Sequence, residues 1–304
     1  MAERVTRIIV NDHEPRLLIG TTAGRVVACA IHQALVVAFN GLEGDAIHAL
    51  CASEDGRLVM AADAQGRVAV WDRATQTLLD TFHSPQPVVQ GSTLGAHHYL
   101  TLDNRRRGTI WARHAEGHMV PVPFCDEQVE PCPFDQFGVS DEGARVVLRS
   151  AFQWSVWDLH TRTVTETHKP VDGLRLDYMS GDIGLSPNGQ FYYTYWDDYL
   201  VIDTVSGAVV RELPVIMDPM TSALSNDGRI LVVGGRSGEV AGVASDGAVL
   251  FKEKLAEGPV QHVSLNANGR LATFVDDTGV AGCLNVEAGR LVLDQARIRT
   301  VLAI

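Results

Sequence analysis

AIHALCASEDGRLVMAADAQGRVAVWDRATQTLLDTF, residues 46–82, holds four short apolar runs separated by tight polar turns. The runs are AIHALCAS, RLVMAAD, RVAVWD and TLLDTF. Each has the length of a strand, is rich in Val, Leu, Ile and Ala, and is bounded by turn-forming residues. The first turn, SEDG at 53–56, recurs as SDEG at 140–143, SPNG at 186–189, SNDG at 225–228 and NANG at 266–269. The glycines from Gly143 onward lie 46, 39 and 41 residues apart, and the 87 residues between Gly56 and Gly143 make two periods. Turns without the glycine, NDHE at 11–14 and the stretch at 96–98, fill the remaining places, which gives seven units.

A second marker keeps step with the first: a polar residue closing an apolar strand, a short turn, and another apolar strand. It reads WDRATQTLL (71–79), WDLHTRTVT (157–165), IDTVSGAVV (202–210), ASDGAVL (244–250) and NVEAGRLVL (285–293), with weaker copies at 30–37 and 111–120. Two markers in phase over seven copies define one repeating unit. Runs such as RVVACAI (25–31) and RILVV (229–233) are near-continuously apolar, as strands covered on both faces must be. No stretch of about 12 residues sustains a helical period. The reading is therefore all-β: a seven-bladed β-propeller of four-stranded antiparallel blades. It forms a single domain over 1–304, with blades at about 4–41, 46–83, 88–124, 134–168, 178–213, 219–255 and 259–297. The last segment, 298–304, reads as one more strand closing onto the first blade.

Units of this length, with SxDG-type turns and Trp-Asp ending the third strand (Trp71-Asp72, Trp157-Asp158), resemble the WD-repeat β-propeller family. Only two of the seven units carry the Trp-Asp pair and none carries the opening Gly-His, so the resemblance is to a diverged member. Asp203 to Gly207 also matches the repeat ending of quinoprotein-like propellers. The resemblance implies a tetrad linking a His, a second-strand Ser, a turn Asp and the Trp. Gln65 stands where Trp71's tetrad would have its Asp, so that tetrad is expected to be broken.

Composition narrows the function classes. With 37 acidic against 25 basic residues, the net charge of −12 argues against a broad nucleic-acid-binding surface. No apolar run reaches the ~18 residues of a membrane span, and the first residues lack a secretory pattern, so the expected setting is the cytoplasm. Lysine supplies three of the 25 basic residues and arginine 22, a bias suggesting a bacterial, high-GC origin. The five cysteines form no CxxC pair and read as free thiols.

Catalytic signatures are absent: there is no GxSxG, P-loop, HExxH or Rossmann fingerprint. His114 and His118 have i, i+4 spacing, which makes a ligand pair on a helix. Here it falls in a Gly-containing turn and reads as a solvated hairpin. Asp197-Asp198 and Asp276-Asp277 read as turn acids satisfying local backbone groups. The turns between second and third strands, together with the links between blades, share one face of such a fold. That face is expected to bind a protein or peptide partner through Arg105, Arg106, Arg107, Phe152, Trp154, Trp196, Tyr199, Arg236, Phe124 and Tyr178. Arginine and aromatic residues are the usual anchors of interfaces. The expected function is a non-catalytic interaction scaffold that needs no cofactor or metal, binds neither nucleic acid nor membrane, and favours an acidic partner at residues 105–107. The alternative is a metal-dependent, lactonase-like hydrolase with its site in the central channel.

Overall fold

The computed structural model describes residues 3–10, 16–31, 36–42, 44–53, 55–94, 98–122, 136–140, 145–150, 153–159, 161, 163–168, 183–195, 198–214 and 216–303. Two compact units are present: Met1–Phe134 with Ala296–Ile304, and Asp135–Gln295.

In the first unit, blade 1 is β1 (Val5–Val10), β2 (Arg16–Thr21), β3 (Val26–Ala30) and β4 (Val36–Phe39). Blade 2 is β5 (Ile47–Ala52), β6 (Leu58–Asp63), β7 (Arg67–Asp72) and β8 (Leu78–His83). Blade 3 is β9 (Val88–Thr93), β10 (His98–Asp103), β11 (Gly108–Arg113) and β12 (Met119–Val122). In the second unit, blade 4 is β13 (Gln136–Ser140), β14 (Arg145–Ser150), β15 (Gln153–Asp158) and β16 (Thr163–His168). Blade 5 is β17 (Ile183–Leu185), β18 (Phe191–Tyr195), β19 (Tyr199–Asp203) and β20 (Val209–Leu213). Blade 6 is β21 (Pro219–Leu224), β22 (Ile230–Gly235), β23 (Glu239–Ala244) and β24 (Val249–Lys254). Blade 7 is β25 (Val260–Leu265), β26 (Leu271–Asp276), β27 (Ala281–Asn285) and β28 (Arg290–Leu293). Each sheet runs antiparallel in chain order, so the architecture is the all-β, seven-bladed propeller that the repeat predicts.

Burial explains the apolar runs. The two middle strands of blade 6, β22 and β23, are buried at nearly every position, whereas outer β24 is exposed at most positions. Apolar clusters lie between neighbouring blades. Leu18, Val26, Phe39, Ile47, Val59 and Trp71 join blades 1 and 2. Val232, Val240, Val260, Val263 and Phe274 join blades 6 and 7. Blade 2 lies between blades 1 and 3, and blade 6 between blades 5 and 7, and such a position requires inner strands apolar on both faces.

The recurring tetrad is a staple for the turn between first and second strands. Ser225 Oγ donates to Asp227 Oδ1 (2.7 Å) and accepts from Ile230 N (3.0 Å), while Asp227 Oδ1 accepts from Arg229 N (3.0 Å). Ser53 with Asp55, and Ser186 with Asn188, repeat the pattern. Gly56, Gly189, Gly228 and Gly269 all have φ between 67° and 74°, a left-handed backbone that disfavours any residue with a Cβ. In the second unit these turns also hold one another. Val139 N donates to Pro187 O (3.1 Å), Asn188 Nδ2 to Asn226 O (3.3 Å), and Asn226 N to Ala267 O (3.1 Å). Gly138 belongs to this seam: a Cβ there would lie 2.6 Å from the Gly189 backbone and 2.9 Å from Ser186 O.

The C-terminal segment departs from expectation. It forms no strand; Gln295–Leu302 is the helix α1. Gln, Ala, Arg and Leu are good helix formers, and Asp294 stands at the position where an N-cap belongs. Ile298 is fully buried, and the Arg25 guanidinium of blade 1 donates to Leu302 O. At the other end of the helix, Gln295 Oε1 accepts from Ala281 N (2.6 Å).

Candidate functional site

The turn joining β10 to β11 carries Arg105, Arg106 and Arg107. It is built by Asp103, the last residue of β10, whose Oδ1 accepts from Arg105 N (2.8 Å) and Arg107 N (3.0 Å). Arg106 N donates to Asp103 O (3.1 Å), and Arg106 takes φ 66°, which costs strain in a residue that carries a Cβ. Asn104 N donates to Pro87 O (3.0 Å), tying the turn to the chain that enters blade 3. All three arginines are exposed, and Arg105 and Arg107 have no ion-pair partner among the described residues. Corresponding turns are made the same way: Thr21, Asp63 and Asp276 each accept the amides two and four residues on. What distinguishes the blade 3 turn is its three arginines.

A buried polar network ties blade 3 to blade 2 at the end of the sheet away from this turn. Tyr99 Oη and Arg113 Nε (2.9 Å) both donate to the carboxylate of Asp80, which lies on β8. Burial first, then the Asp80 contact, holds the Tyr99 phenol far above its ordinary range, so it stays a proton donor. The Phe82 ring lies 4.6 Å from Trp111 and 5.9 Å from Tyr99, centroid to centroid. Trp111 Nε1 donates to Thr101 Oγ1 (2.9 Å), the strand-two hydroxyl contact that the family tetrad implies. Trp71 lacks that contact and donates instead to Asn40 O (2.8 Å), in keeping with the expected broken tetrad.

The other candidates divide. Arg236 is exposed in the blade 6 turn and pairs with Asp218 (3.0 Å). Trp154 and Tyr199 are corrections: each is only 1% exposed. Trp154 is the second residue of β15, packs with Val147, Val156, Leu185 and Ile202, and donates its indole N–H to Thr204 O (2.9 Å). Tyr199 opens β19 and packs among Phe191, Val201, Leu213 and Leu231. Both strands start earlier than the turn reading supposed, which turns these aromatics into packing between blades. Phe124, Phe152, Tyr178 and Trp196 lie outside the described residues.

Groups able to support other chemistry are placed as follows. Asp276 Oδ1 is used by Thr278 N, Thr278 Oγ1 and Val280 N, so that carboxylate shapes its own turn, while Asp197 lies outside the described residues. Burial raises the Cys29 thiol to about 11 and the Cys51 thiol to about 12, so both remain protonated at neutral pH. Cys125 and Cys132 lie outside the described residues. Among the described residues, one group of metal-ligating side chains converges, at His114, Glu116 and His118 between β11 and β12. Four-residue spacing stacks ligands on a helix, whereas here the hairpin sets the two histidines opposite each other. No helix among the described residues is long and apolar enough to cross a membrane.

This architecture and its turns define a β-propeller that resembles the WD-repeat class. No protein-family model matches the chain. Over 199 residues, 64% of the chain, it is 25% identical to Actin-interacting protein 1 of Caenorhabditis elegans, and the match spans 31% of that protein. In three dimensions it is similar to the Cps50 (Swd1) β-propeller domain of Myceliophteria thermophila, with a TM-score of 0.72 at 13% identity. That similarity covers 94% of this chain and 96% of the other.

Proposed function

We propose that this protein is a non-catalytic interaction scaffold that docks an acidic segment of a protein partner on the turn between β10 and β11. The observation that carries the reading is three exposed guanidinium groups on a turn preorganised by Asp103, in a chain of net charge −12. A fixed turn reduces the ordering cost of binding, and guanidinium forks suit carboxylates. The likeness to a protein named for interacting with actin supports a protein partner, and the propeller frame supports a scaffold role. The net charge of −12 speaks against broad nucleic-acid binding. The hydrolase alternative has less support, because Oδ1 of Asp276 is engaged by its own turn and only Oδ2 is left over.

Affinity capture from a cell extract followed by mass spectrometry tests the reading. The variant with Arg105, Arg106 and Arg107 all changed to Ala should lose a specific partner that the parent protein retains. Capture of the same partners in the same amounts by both would reject it.

A further inference from the structure

The hairpin between β11 and β12, at the opposite end of blade 3 from the arginine turn, carries a second and independent feature. Residues 114–118 read HAEGH. His114 N donates to His118 O (2.8 Å), so the two histidines face each other directly across the hairpin. Gly117 N donates to His114 O (2.8 Å), and Gly117 takes φ 89°, which closes the tight loop. The imidazole centroids are 5.0 Å apart. Glu116 sits at the tip, with Oε2 3.9 Å from His118 Nδ1. All three side chains are exposed, and one ligand atom from each lies within 4.8 Å of the others. Glu116 N donates to His114 Nδ1 (3.4 Å), so coordination through Nε2 requires this long contact to break and the ring proton to sit on Nδ1.

We propose that His114, Glu116 and His118 form a surface site for a divalent transition-metal ion of the zinc class. Two imidazoles and one carboxylate are borderline donors that suit Zn²⁺, Co²⁺, Ni²⁺ or Cu²⁺ better than Mg²⁺ or Ca²⁺. Bonds of about 2.0–2.2 Å in tetrahedral geometry place ligand atoms about 3.3 Å apart. The side chains reach that spacing by rotating about exposed χ angles while the hairpin backbone stays in place. Three protein donors leave one position open to water or to a side chain from a docked partner. The pairing depends on hairpin register: residues four apart meet here because they flank a three-residue loop.

Titration of the full chain, stripped with chelator, tests the site with Zn²⁺ by calorimetry and with Co²⁺ by visible absorption. The expected result is one saturable equivalent and cobalt ligand-field bands. The double variant His114→Ala with His118→Ala should lose the bands and bind Zn²⁺ at least about 100-fold more weakly. Glu116→Gln should weaken binding about tenfold while keeping both imidazoles. The exposed positions let the variants fold, and an unchanged thermal melt checks this. Either of two results would overturn the proposal: no saturable binding by the parent chain, or equal affinity and spectra in the double variant.

Discussion

The turn at residues 225–228 and the turn at residues 104–107 use the same chemistry to different ends. In the first, a short hydroxyl and a short carboxylate are both consumed: Ser225 and Asp227 bind each other and the amides of Arg229 and Ile230. Asn226 is consumed as well, since its amide reaches Ala267 O and its carbonyl accepts from Asn188. In the second, the Asp103 carboxylate accepts the amides of Arg105 and Arg107, and the three long cationic side chains of the turn are exposed. The repeating tetrad therefore marks residues occupied in holding the fold. Residues available to a partner are those that a turn displays without using them.

Substitutions can break this contrast, beginning with the seam. Gly138→Ala drives a Cβ into the Gly189 backbone and Ser186 O, neither of which is the free end of a flexible side chain. It should destabilise the protein by about 3 kcal/mol in chemical denaturation. Ser225→Ala removes the hydroxyl that accepts from Ile230 N and shares Arg229 N with Asp227, and should cost about 1–2 kcal/mol by the same measurement. Asp103→Ala loosens the arginine turn; it should cost about 1 kcal/mol and also weaken partner binding, which separates it from Ser225→Ala. Changing Arg105, Arg106 and Arg107 together to Ala should move stability by no more than about 0.5 kcal/mol.

The smallest effect concerns pH. Burial, and then the positive charge of Arg7, holds the His48 imidazole below its ordinary 6.5, against an opposing pull from Asp63. Between the lowered value and 6.5 the folded state binds fewer protons than the unfolded chain, so acidification through that window lowers stability. His48→Gln should flatten the acid side of a plot of denaturation midpoint against pH below 6.5. An unchanged slope would show that other groups set it.

The propeller was legible because its signals are local and repeated. Ser225, Asp227 and Gly228 are demanded by one turn geometry, and the apolar runs by coverage on two faces. Trp154 and Tyr199 were misread because the strand period is two. A start displaced by one or two residues decides whether an aromatic beside a turn points outward or packs between blades. The segment 298–304 was misread because β-branched Thr300 and Val301 favoured a strand, whereas the helix-forming residues around Ile298 favour α1. The closeness of His114 and His118 was hidden because four-residue spacing has one meaning on a helix and another across a hairpin. Asp103 gave no signal of its own, since turn aspartates recur throughout the chain.

The most direct measurement is the fluorescence anisotropy of a labelled oligoglutamate peptide titrated with the parent protein and with the Arg105, Arg106 and Arg107 triple-alanine variant, at low and moderate salt. The predicted result is saturable, salt-weakened binding by the parent and at least about a tenfold loss in the variant, with thermal midpoints unchanged. Equal binding curves for the two proteins would contradict the assignment of the blade 3 turn as the docking surface.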